Sequence, residues 1–154
     1  VCQQLKPQTI LFLGDIYHDT ESEDRMSEDN KRTWLGILNK YDVIWIEGNH
    51  DPNSAPSNIK NYLNYKWGHI NFNHIATNTL EHEISGHYHP AVELKHKNQK
   101  IRRPCFIVSD NKIILPSYGA FTGGLNISDQ AFEKLNLQRI EIYALGNNRV
   151  YKIA

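Results

Sequence analysis

Val43-Ile44-Trp45-Ile46-Glu47-Gly48-Asn49-His50-Asp51 is the stretch whose reading decides the fold class. Its first four residues form an apolar run too short for a helix and bounded by a glycine, which reads as a buried strand. A buried strand that releases Gly, Asn, His and Asp in succession sets polar side chains at its carboxyl end. In open α/β sheets, ligands bind at that edge. Two other segments repeat the pattern. Leu11-Phe12-Leu13 runs into Gly14-Asp15, and Ile84-Ser85 runs into Gly86-His87-Tyr88-His89.

Working outward, Val1 to Gln8 reads as an entering loop and Thr9 to Leu13 as a first buried strand. The acidic run from Asp19 to Asp29 reads as a solvated loop. Ser27 can cap a helix through about Tyr41, with Trp34, Leu35, Leu38 and Tyr41 as its apolar face. Strand, helix and strand in this order predict a βαβ unit with a parallel pair. Asn58 to Tyr65 reads as a short helix, Ile70 to His74 and His82 to Ser85 as strands. Arg103 to Ser109 with Lys112 to Leu115 predict a hairpin turning at Asp110-Asn111. Beyond the glycine-rich segment Tyr118 to Gly124, Ser128 caps a short helix through Leu135. Gln138 to Leu145 and Arg149 to Ile153 close the chain as a last hairpin. The expectation is a single α/β domain over residues 1–154.

Bulk composition excludes several classes. Hydrophobic residues make up 40% of the 154, enough for a packed core rather than disorder. Lys+Arg and Asp+Glu both number 17, so net charge advertises neither a nucleic acid nor an anionic membrane as partner, although a locally basic groove escapes such a count. Cys2 and Cys105 lie far apart without a zinc spacing and read as reduced thiols of a cytoplasmic protein, Cys105 buried in a strand. No apolar run approaches a membrane span. The chain also lacks the GxxxxGK[ST] loop of a P-loop NTPase and the GxSxG elbow of an α/β-hydrolase.

Eight histidines remain to be placed: His18, His50, His69, His74, His82, His87, His89 and His96. His69 and His96 read as ordinary surface or core residues, and His82 falls near the cluster without a ligand spacing. His87 and His89, two apart on an extended strand, would point to one face and reach one cavity. Asp, Asn and several His form an oxygen and nitrogen donor set suited to Mn²⁺, Fe or Zn²⁺. Two such ions about 3.5–4 Å apart polarise a phosphoryl oxygen and ionise a bridging water for in-line attack.

The order Gly14-Asp15, Gly48-Asn49-His50-Asp51, His74, Gly86-His87-Tyr88-His89 resembles the calcineurin-like metallophosphoesterase superfamily. Within it, the chain is most similar to the bacterial ligase-associated DNA damage response metallophosphoesterases. That closer likeness rests on Leu13-Gly14-Asp15-Ile16-Tyr17-His18, Ser85-Gly86-His87-Tyr88-His89-Pro90, Arg103-Pro104-Cys105-Phe106 and Leu115 to Gly124. The resemblance implies a four-layer αββα sandwich with a dinuclear centre, Mn²⁺ being the first expectation. It implies Asp15 as the bridging ligand, Asn49, His74 and His87 on the second metal, and His89 on the first. His50 becomes the acid that orients the phosphate and protonates the leaving oxygen, a task suited to an imidazole. Asp51 either orients His50 or holds the loop, and His18 stands behind the ligands where the superfamily has Asp. The implied activity is a phosphodiesterase or nuclease reaction on DNA or nucleotides, by in-line attack of a metal-bound hydroxide, with DNA-repair partners.

One departure bears on this. The superfamily opens with an Asp-x-His strand that gives the first metal two ligands, and no such motif precedes Asp15. The expectation is an excerpt of a longer protein, missing its first strand. The alternative is a metal-binding module of impaired activity.

Overall fold

The computed structural model describes residues 1–19, 21–97, 99–119 and 122–153, with only the backbone of residue 96. The chain divides into two compact units, Val1–Tyr65 and Lys66–Ala154.

In the first unit, β1 (Thr9–Leu13) and β2 (Asp42–Ile46) are parallel, with Thr9 opposite Asp42 and Leu13 opposite Ile46. The connecting helix α2 (Glu28–Lys40) starts at Ser27, whose hydroxyl accepts the Asn30 N–H at 3.3 Å. The predicted βαβ unit is therefore present. β2 takes the central place in a three-stranded sheet and buries Trp45 and Ile46 completely, whereas the edge strand β1 is only half-buried. Trp34 and Leu38 of α2 pack with Trp45, Tyr17 and Phe12, while Leu35 falls off the apolar face and is exposed.

Two expectations fail here. The entering loop contains a four-residue helix, α1 (Cys2–Leu5), closed by Lys6 in the left-handed region at φ 45°. The predicted helix over 58–65 is instead β3 (Asn61–Tyr62), parallel to β2, and the start of β4 (Asn64–Trp67). The open edge of β2 offers backbone partners that a weak helix former such as Asn61 cannot replace locally, and Glu47 N–H donates to the Tyr62 carbonyl at 2.8 Å.

In the second unit, β5 (Ile70–Asn73), β6 (Glu83–Ser85) and β9 (Lys112–Ile114) are parallel neighbours. β8 (Gln99–Val108) runs antiparallel to β9, giving the expected hairpin, and to β10 (Glu141–Leu145), which pairs with β11 (Val150–Lys152). The sheet order is β11-β10-β8-β9-β6-β5-β4. The amino half of β8 pairs with β7 (Ala91–His96), a strand the sequence reading did not anticipate. α3 (Gln130–Glu133) is capped by Asp129 rather than Ser128, because the Asp129 carboxylate accepts the Ala131 N–H. Cys105, Ile107, Ile114, Phe132, Leu135 and Ile142 form the core. The readings of the whole Tyr118–Gly124 loop and of the His96 side chain lie partly or wholly outside the described residues. Among those residues, no helix is long and apolar enough to cross a membrane.

Burial pushes the Cys105 thiol up to about 11 from its ordinary 9.0, and burial likewise raises Tyr17 and Tyr88. The unfolded chain therefore releases these protons at lower pH than the folded one, so stability falls as pH rises from about 9 to 11. Urea midpoints across that range should decline, less steeply in Cys105→Ala. Native protein should expose only Cys2 to a thiol reagent; rapid native labelling of Cys105 would contradict its burial.

Candidate metal centre

In the first unit, β1 and β2 end side by side, so Gly14-Asp15 and Gly48-Asn49-His50-Asp51 leave the same edge of a parallel pair. The Asp51 carboxylate is completely buried. Its Oδ1 accepts the N–H groups of Asp15 and Gly48, each at 3.0 Å. Its Oδ2 accepts those of Ile16 at 2.8 Å and Tyr17 at 3.1 Å. One side chain thus ties the two strand-end turns together. Asp51 holds the loop through backbone groups, which decides between the two roles open to it in the sequence.

The clamp fixes Asp15 and His50 against each other. His50 N–H donates to Asp15 Oδ1 at 2.9 Å. Asp15 itself sits in the left-handed region at φ 50°, a conformation a non-glycine residue adopts at some cost. Tyr17, next but one, is anchored in the core and accepts the Trp34 indole N–H at 2.8 Å. Gly48 is irreplaceable on space alone: a Cβ there would fall well inside van der Waals distance of Asp15 and of the Asp51 carboxylate. The His50 and His18 imidazoles are exposed and nearly parallel, centroids 6.1 Å apart. Asn49 is exposed between Gly48 and His50.

In the second unit, His74 follows β5 and Gly86 to Pro90 follows β6, again the carboxyl ends of a parallel pair. His74 is 5% exposed, and its Nε2 lies 3.1 Å from His87 Nδ1, the rings meeting edge to face. Two bare imidazole nitrogens at that separation repel unless a proton or a cation is shared between them. Nitrogens each about 2.0–2.1 Å from one ion stand about 3 Å apart when they are neighbours in its coordination shell. The separation suits an N–H···N hydrogen bond between the rings and equally two neighbouring ligands of one divalent ion. His89 lies in the same loop.

The premise of an extended strand through His87 and His89 is incorrect. β6 ends at Ser85, and both histidines are left-handed, with φ 60° and 46°. The loop holds this shape through Gly86 N–H donating to the His74 carbonyl at 3.0 Å and through Gly124, where a Cβ would collide with the His89 carbonyl. Of the sequence-predicted ligands, the first unit thus joins Asp15 to the His50 backbone, and the second joins His74 to His87. His69 and His82 are exposed and touch each other edge to face, centroids 5.5 Å apart.

Sequence reasoning missed the support beneath His74. Glu83 and Lys112 are paired across β6 and β9 and buried, with Nζ 3.6 Å from Oε2. The Glu83 carboxylate also accepts the Thr77 hydroxyl and the Thr77 N–H at 3.0 Å, fixing the segment that leaves His74. No periodicity reveals such a pair, because charged residues in short strands read as exposed.

Asp51→Ala leaves four donors without their acceptor, each costing about 1–3 kcal/mol, though not additively. A loss of several kcal/mol is expected from urea unfolding, a large share of a stability typically about 5–15 kcal/mol. Gly48→Ala should be comparably damaging. A change within about 0.5 kcal/mol for Asp51→Ala, the size of an ordinary surface substitution, would show that the clamp contributes little.

Residues 1–117 match the calcineurin-like phosphoesterase family. The fold is similar to that of the Pseudomonas putida nuclease MPE, with a TM-score of 0.73 over 98% of this chain and 75% of that one, at 22% identity. No curated protein matches. The α/β fold class expected from the αββα metallophosphoesterase pattern is thereby borne out. With polar strand ends in the family's order and a match over three quarters of its length, the chain belongs to the calcineurin-like phosphoesterase family.

Proposed function

We propose that this protein is a metal-dependent phosphodiesterase acting on nucleic acid or nucleotides. The observation that carries the reading is the His74–His87 nitrogen pair, His74 buried and His87 half-buried, whose 3.1 Å separation suits shared coordination of one ion. Family membership supports the hydrolase class, and likeness in fold to a protein described as a nuclease supports a phosphodiester substrate. The superfamily order assigns Asn49, His74 and His87 to a second metal, His89 to a first, and Asp15 to both. Mn²⁺ is our first expectation, with Fe or Zn²⁺ suiting the same donors. DNA as substrate and a role in repair are what the resemblance implies, and cytoplasmic residence is the reading of the two cysteines, Cys2 and Cys105, as reduced thiols.

Divalent ions held there supply Lewis-acid charge to phosphoryl oxygens and lower the pKa of bound water. The chain's own residues do the rest. Asp51 fixes the backbone that presents Asp15 and His50. The exposed His50 imidazole donates a proton to the departing oxygen, a contribution of about 10²–10⁴-fold in comparable catalysis.

A second reading is a module that binds metal without turnover. Elemental analysis after incubation with Mn²⁺, run beside hydrolysis of bis-p-nitrophenyl phosphate, separates the two. We expect a tightly held ion at the His74–His87 pair and turnover in excess Mn²⁺. Metal without turnover selects the module, whereas no bound metal overturns both readings. His74→Ala and His87→Ala should each lose the tight ion; unchanged metal content in both would sink the assignment.

His50→Ala should keep its metal and lose about 100-fold or more in kcat. Metal and turnover falling together would make His50 a ligand instead.

A further inference from the structure

The neutral total hides a cationic hairpin. Lys95, Lys97, Lys100, Arg102 and Arg103 fall within nine residues, and no Asp or Glu occurs between Leu94 and Ser109. All five are exposed. Elsewhere Arg25, Arg32, Lys112, Arg139 and Lys152 are each paired with a carboxylate, whereas Lys6, Lys31, Lys40, Lys60, Lys66, Lys134 and Arg149 are in no ion pair among the described residues, so what sets the hairpin apart is the density of its charge. Among the described residues, none of the hairpin's five cations is in an ion pair.

The β7–β8 register sets three of these charges, Lys95, Lys100 and Arg102, on one face. Lys95 lies opposite Lys100, and Glu93 opposite Arg102. Side chains alternate between faces along a strand, so Lys95, Lys100 and Arg102 share a face with Glu93. The other face carries Val92, Leu94 and Ile101 with Arg103; Val92 is buried in the core and Leu94 packs against it. Like charges directly opposite one another destabilise a strand pair, and a bound polyanion relieves that repulsion.

The hairpin also springs from the histidine loop. β7 begins two residues after His89, and Cys105 N–H donates to the Pro90 carbonyl at 2.9 Å. Arg102 donates to the carbonyl of Gly124, the residue packed on the His89 backbone. At about 3.4 Å per residue, Lys95 and Lys100 stand roughly 14 Å from the hairpin's root. A small phosphodiester at the histidines does not reach them; a polymer does.

We infer that the Lys95, Lys100 and Arg102 face, with Lys97 at its tip, holds the phosphodiester backbone of a nucleic-acid strand whose neighbouring segment lies at the His87–His89 loop. This rests on the phosphodiesterase reading and names its substrate as a polymer. Contacts of this kind position a strand without reading its bases.

The test is binding of a labelled single-stranded oligonucleotide, followed by anisotropy in EDTA across a salt series, beside turnover of bis-p-nitrophenyl phosphate in Mn²⁺. Lys95→Gln/Lys97→Gln/Lys100→Gln changes only exposed side chains without ion pairs and spares Arg102. Its affinity at low salt should fall at least about tenfold, and the slope of log K against log salt by about 2, near 0.7 per lost cation. Turnover of the small ester should stay at the wild-type level. Charge reversal, Lys95→Glu/Lys100→Glu, should weaken binding further. Wild-type affinity and slope in the triple variant overturn the inference, as does equal affinity of the wild type for polyglutamate. Small-ester turnover without oligonucleotide binding also overturns it and leaves the phosphodiesterase reading intact. Hairpin-dependent binding without small-ester turnover supports the hairpin and counts against that reading.

Discussion

Four backbone N–H groups from two separate turns converge on the buried carboxylate of Asp51. A charged group taken out of water is tolerated when donors replace its hydration, and charge-assisted bonds are the strongest kind available for this. The result is a rivet between the ends of β1 and β2. Asp15 acquires its left-handed backbone there, His50 N–H closes on the Asp15 carboxylate, and Gly48 must lack a side chain for the turns to approach. A single acid–amide cluster thus defines how the first unit presents its polar residues.

The second unit solves the same problem differently. There the Gly86–Pro90 loop is tied to neighbouring backbone, with Gly86 N–H on the His74 carbonyl and Leu125 N–H on the Tyr88 carbonyl. Its shape comes from hydrogen bonds to neighbouring segments, from the close approach of Gly124, and from two left-handed histidines. Beneath it, the Glu83–Lys112 pair and Thr77 fix the segment after His74. Left-handed backbone at non-glycine residues costs of order 1 kcal/mol or more and persists where surroundings over-determine it. Asp15, His87 and His89 all adopt it, and all three are among the proposed ligands. Lys6, Asn53, Lys97, Asn136 and Arg139 share that conformation, so it does not by itself mark a ligand.

Much of this was legible in the chain. The runs Thr9 to Leu13 and Val43 to Ile46, separated by a capped helix with Trp34 and Leu38 on one face, specified the βαβ unit, because period and capping are local properties. The hairpins around Asp110-Asn111 and Gly146 to Asn148 were equally visible from turn chemistry. Asn61 to Trp67 misled, since tyrosines and asparagines there suit a strand only once an open sheet edge exists to pair with. His87 and His89 misled in a subtler way. Their proximity was foreseen, but through an extended strand that ends before them.

The sequence by itself determined the fold class and the order of metal-suited residues, because hydrophobic period, glycine-marked strand ends and donor chemistry are written along the chain. It also carried the cationic run from Lys95 to Arg103. Tertiary structure decided what those residues do to one another. It made Asp51 a backbone clamp, set the His74 and His87 nitrogens 3.1 Å apart, buried Lys112 against Glu83, and put Lys95, Lys100 and Arg102 on one face of the hairpin. Each of these depends on strand register and on approach between segments distant in sequence, which no local pattern encodes.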